Sequence, residues 1–94
     1  MDKDLLKKEI KISKWISWQN YDDFVYIIDE RTKFNILLEG VAVYFWKYLV
    51  ILKSVPKLLE TLKNKFYSTS SDTISKDLKK FINDLVIQEV IEVI

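Results

Sequence analysis

Lys33-Phe34-Asn35-Ile36-Leu37-Leu38-Glu39-Gly40-Val41-Ala42-Val43-Tyr44-Phe45-Trp46 is the stretch that decides the fold, because its period changes at Gly40. Side chains of a strand alternate between two faces, so Phe34, Ile36 and Leu38 share one face and Asn35 and Leu37 the other. The first set is expected to face the core. Beyond Gly40 the spacing becomes helical: Val41, Phe45, Tyr48, Leu49 and Leu52 fall on one face, with Ala42 and Trp46 beside them. A strand therefore runs straight into an aromatic helix, and Trp46 on the buried face of that helix is expected in the core.

On the N-terminal side, Ile10, Ile12, Ile16 and Trp18 alternate with polar residues as in a half-buried strand, interrupted at Lys14 and Trp15. Gln19 to Asp23 supply turn formers, and Phe24 to Ile28 read as a second, β-branched and aromatic strand. Asp29 to Thr32 make a short polar connection to the third strand, as in an antiparallel hairpin. On the C-terminal side, Ser54 stands where a second helix needs a cap, with Pro56 in the first turn, where a missing N–H costs least. Leu58, Leu59, Leu62 and Phe66 form its buried stripe. After the polar loop Tyr67 to Ser71, Asp72 is the expected cap of a third helix. Its residues Ile74, Leu78, Phe81 and Leu85 mark the middle of an apolar stripe. Val90 to Ile94 read as a short strand or a tail. The fold class is α+β and winged-helix-like: a three-stranded antiparallel sheet followed by three helices, with 1–9 a flexible N-terminus and 10–94 a single domain.

Composition narrows the functions. The 94 residues include no Cys and no His, which removes thiolate and imidazole nucleophiles, the commonest general base and the usual soft-metal ligands. With Gly40 as the sole glycine there is no Gly-rich phosphate loop. The acidic groupings Asp22-Asp23 and Asp29-Glu30 fall in expected turns. Glu89 and Glu92 add little, so the reading is of a protein that is not an enzyme and needs neither cofactor nor metal. The charged N-terminus lacks a secretory signal's apolar run, and no stretch reaches the roughly 18 apolar residues of a membrane span. A cytoplasmic protein without membrane partners is expected. Net charge is +1, and Arg31 is the sole arginine. Lys57, Lys63 and Lys65 on the second helix and Lys76, Lys79 and Lys80 on the third concentrate positive charge. Asp77 and Asp84 interleave with the latter, leaving a winged-helix DNA-binding or regulatory role as the alternative, poorly equipped for base readout.

The strand–helix junction resembles the PqqD-like peptide chaperones, also called RiPP recognition elements. There a last strand reads aromatic-x-Leu-Asn and the helix after it x-Thr-Ala-x-x-Ile-Trp. Ile36 falls at the aromatic position, and Leu38, Ala42, Phe45 and Trp46 at the Leu, Ala, Ile and Trp. Glu39 and Val41 depart from the family Asn and Thr. The resemblance implies a stand-alone domain that binds the leader of a ribosomally made precursor peptide as an added strand and presents it to a separate modifying enzyme, such as a radical SAM enzyme or a lasso-type protease. It places the leader along the third strand, Lys33, Phe34, Asn35, Ile36, Leu37 and Leu38, in a groove against the third helix. An exposed strand edge has the unpaired backbone groups for this. Lacking Cys, the chain cannot ligate the iron–sulfur cluster that radical chemistry needs, so the catalyst is a partner.

Helical periodicity offers two flanks for the groove wall. Ser75, Lys79, Ile82 and Val86 form the more apolar one, on which Lys79 would pair with an acidic leader residue; Asp77, Lys80 and Asp84 form the other. The apolar flank is the expected wall, although Ile82 and Val86 equally suit packing on the first helix. Trp15, opposite Ile10, Ile12 and Ile16, is expected to be exposed and to mark a contact with the partner enzyme. A homodimer joined through the open strand edge is a further possibility.

Overall fold

The structure, a computed structural model, describes residues 6–94. Its elements run β1 (Ile10–Ile12), β2 (Ile16–Asn20), β3 (Phe24–Asp29), β4 (Phe34–Glu39), α1 (Val41–Leu52), α2 (Val55–Lys65), α3 (Ser71–Ile87) and β5 (Ile91–Val93). The expected meander is present as an antiparallel sheet in the order β2-β3-β4, and the three helices follow it. The helices pack on the sheet face that carries Val25 and Ile27 of β3, both fully buried.

The strand expected from Ile10 to Trp18 divides at Lys14 and Trp15. The Ile16 N–H donates to the Ser13 carbonyl, folding a tight turn that sends β1 away from the main sheet. There β1 pairs antiparallel with β5, Ile12 opposite Ile91, and the Ser13 N–H donates to the Val90 carbonyl. The C-terminal segment is thus a strand held at one end of the domain. Residues 1–5 of the expected flexible N-terminus lie outside the described residues. Lys8 and Glu9 are tied down: the Val55 N–H donates to the Lys8 carbonyl, the Ile94 N–H donates to the Glu9 carbonyl, and Glu9 bridges Ser54.

Local chemistry sets the helix ends. Gly40 joins β4 to α1 at φ 63°, ψ −138°, a backbone region that side chains with a Cβ avoid. After α1, Lys53 takes the left-handed conformation and its N–H donates to the Leu49 carbonyl. Ser54 Oγ accepts from the Lys57 N–H, as the sequence implies, with Pro56 in the first turn. At α3 the cap is Ser70 rather than Asp72: Ser70 Oγ accepts from the Thr73 N–H at 3.1 Å. Asp72 instead lies in the first turn, where its charge favours the positive end of the helix dipole. Between sheet and helices the core is built on Trp46, Leu49, Leu58, Leu62, Leu78 and Ile82, all fully buried. Trp18 of β2 meets Trp46 edge-on, with ring centroids 5.4 Å apart.

Candidate functional site

Among the described residues β4 pairs with β3 alone, which leaves its other edge open. Which backbone groups face that edge follows from the two-residue turn between β2 and β3, where the Tyr21 N–H donates to the Phe24 carbonyl. Phe24 thus directs its backbone polar groups toward β2, and alternation directs those of Val25, Ile27 and Asp29 toward β4. Their register partners are Leu38, Ile36 and Phe34. The N–H and C=O groups of Asn35, Leu37 and Glu39 are therefore the ones aimed at the open edge.

The side chains alternate as the sequence implies, but burial falls along the strand. Leu38 is buried, Ile36 half-buried and Phe34 57% exposed, because Phe34 lies at the end of the strand far from α1. Leu37, on the outer face, is 53% exposed. Lys33 belongs to the preceding turn: it takes φ 64°, its N–H donates to the Asp29 carbonyl at 2.7 Å, and its ammonium pairs with Glu30 at 2.8 Å. The strand begins one residue later than expected and includes Glu39.

Where β4 ends, a groove begins. Val41, Ala42 and Phe45 of α1 line one side and Asp77, Lys80, Phe81 and Asp84 of α3 the other, around a volume of about 240 Å³. Phe45 and Phe81 meet edge-on with centroids 5.4 Å apart. This is the flank of α3 that the sequence ranks second. Ile82, expected in the groove wall, is 0% exposed and serves the core, leaving it no surface for a peptide. Ser75, Lys79 and Val86 are half-buried on the side of α3 away from Phe81. The stripe is rotated from its expected centre: Ile82 points inward, and Phe81 moves to the margin.

A second cluster fixes the β3–β4 turn. Asp29, 8% exposed, accepts from the Arg31 guanidinium through both carboxylate oxygens, at 3.2 and 2.8 Å, and from the Arg31 N–H. Arg31 also reaches Glu89 at 3.2 Å and stacks over the Trp15 ring at 4.0 Å. The Trp15 indole N–H donates to the Glu89 carbonyl. Trp15, expected as a free contact surface, is half-buried under Arg31. The Arg31 hydrogen bonds hold the Asp29 carboxyl below its usual range, and Asp29 in turn raises the already high Arg31 pKa. Lys33, hydrogen-bonded to Glu30, lowers the Glu30 pKa.

Of the lysines of the DNA-binding alternative, Lys76, Lys79 and Lys80 line one surface with Asn83, and Lys80 pairs with Asp84 at 3.1 Å. Among the described residues no group of carboxylates could hold a metal ion, and no helix is long and apolar enough to cross a membrane. None of the seven groove residues, Val41, Ala42 and Phe45 of α1 and Asp77, Lys80, Phe81 and Asp84 of α3, belongs to the expected site. For those of α3 the signal was the flank opposite Ile82, where Phe81 neighbours three charges.

The arrangement defines a small winged-helix-like α+β protein in which the outer edge of β4 leads into a helix-lined groove. No family model matches the chain, and no curated protein matches it. Among solved structures, it is similar to TbiB1 in complex with the TbiA(beta) leader peptide. The match has a TM-score of 0.80 and 24% sequence identity over 87% of this chain and 94% of TbiB1, so the two share a fold.

Proposed function

We propose that this chain binds the leader segment of a ribosomally synthesised precursor peptide, taking it as a fourth strand on β4, and presents the precursor to a separate modifying enzyme. The observation that carries this is the open edge at Asn35, Leu37 and Glu39 running directly into the groove between α1 and α3. An added strand satisfies edge N–H and C=O groups, and a neighbouring groove supplies side-chain selectivity. The fold shared with TbiB1, itself solved with a leader peptide, supports the reading, as does the likeness of the Ile36 to Trp46 junction to the PqqD-like pattern. Phe34, Ile36 and Leu38 then support the strand from the inner face. Ser75, Lys79 and Val86 lie outside the path, and Ile82 holds α3 in place. The enzyme partner, of the radical SAM or lasso-protease kind or another, carries the chemistry.

The test is a titration of the full chain with a fluorescent synthetic leader from a precursor encoded beside it, read by anisotropy, with duplex DNA in parallel. Saturable leader binding that Leu37→Pro abolishes supports strand addition. Salt-sensitive DNA binding without leader binding would replace this reading by the winged-helix alternative.

A further inference from the structure

Resting on that reading, we infer that the peptide accepted in the groove carries an apolar residue with a Lys or Arg close to it on the same face, so that the site selects for positive charge. Phe81, Val41 and Ala42 offer the apolar seat, backed by the buried Phe45 ring. The charges beside it are Asp77, Lys80 and Asp84. Lys80 is matched by Asp84 at 3.1 Å, while Asp77 is exposed and makes no ion pair among the described residues. The surplus is negative.

The spacing fits an extended peptide. Alternate side chains of a strand lie about 7 Å apart on one face. Asp77 and Asp84 are two helical turns apart, about 10 Å along α3, with Phe81 between them. An apolar side chain seated against Phe81 therefore places the residue two positions away within reach of one carboxylate or the other. This choice of sign opposes the one that Lys79 suggests, because Lys79 stands on the other side of α3.

The experiment is selection of a displayed library of random peptides on the full chain, repeated on Asp77→Lys and Asp77→Ala, with each variant's fold checked by circular dichroism and thermal melting. Enrichment of Lys or Arg two positions from an apolar residue is expected. Asp77→Lys should weaken the selected peptides by about two- to fivefold, as for exposed charge pairs, and shift its own selection toward Asp and Glu. Asp77→Ala should lose the bias without gaining the opposite one. Peptides that need the β4 edge, as shown by loss on Leu37→Pro, but have no preference for positive charge would overturn this inference and leave the leader-binding reading intact. Failure to select any peptide sensitive to Leu37→Pro would overturn both.

Discussion

The two edges of the sheet, β2 and β4, have similar lengths and opposite surroundings. At β2 the Ile16 N–H is turned back on the Ser13 carbonyl, and just past the strand the Lys47 ammonium of α1 donates to the Tyr21 carbonyl at 3.1 Å, while Trp18 and Asn20 direct their backbone groups outward. The Trp18 ring is fixed edge-on against Trp46. At β4 the backbone groups of Asn35, Leu37 and Glu39 have no partner among the described residues, and the strand leads through Gly40 into the wall of a groove. Open strand edges invite association and are usually blocked by charge, bulges or covering segments. The small sheet illustrates the covering: β1 pairs with β5 on one side, while the Ile10 N–H donates to the Lys53 carbonyl on the other. The difference is one of setting: the β4 edge runs into a cleft between two helices, whereas the β2 edge starts at a tight turn on Ser13.

Breaking the support of the β2 edge should produce the largest effect. Trp46→Ala removes a fully buried side chain and the seat of Trp18, and should cost about 3–5 kcal/mol in chemical denaturation. Next, Gly40→Ala tests the junction between β4 and the groove. No atom lies within 4 Å of a Cβ built there, so the expected loss of about 1–3 kcal/mol is conformational, from φ 63°. Third, proline placed on each edge separates the two directly. Leu37→Pro removes an outward N–H of β4 and should weaken leader binding at least about tenfold with little loss of stability. Asn20→Pro does the same to β2 and should leave the affinity unchanged; equal losses from both would end the distinction between the edges.

The smallest effect concerns the turn leading into β4. Because Arg31 lowers the folded-state pKa of Asp29, the unfolded chain binds the proton more readily. The stability from this pair is therefore complete above the unfolded Asp value of about 4 and is lost as pH falls through the folded value. Arg31→Ala should flatten the fall in stability below about pH 4, measured by urea unfolding across that range. An unchanged slope would show that the clasp does not hold the turn.

Much of the domain is legible in the sequence where the signal is local. Period two across Phe24 to Ile28 and Phe34 to Leu38, and helical spacing after Gly40, are written in side chains close together along the chain. The Ser54 cap is legible for the same reason. The split of the first strand is less so, since β1 finds its partner β5 at the far end of the chain, and only the interruption at Lys14 and Trp15 hints at it. The site divides likewise. An open edge at the third strand of the meander is readable, but the groove wall is not, because a helix with a broad apolar stripe has two candidate margins.

By itself, the sequence determined an α+β domain with β4 running into an aromatic helix and no Cys or His, because composition and periodicity act within a few residues of one another. The tertiary structure decided that Ile82 turns inward and Phe81 faces the groove, that Arg31 covers Trp15, and that β1 joins β5. Each of these depends on how elements distant along the chain are rotated against one another. That rotation is set by packing the whole core at once, which no local pattern encodes.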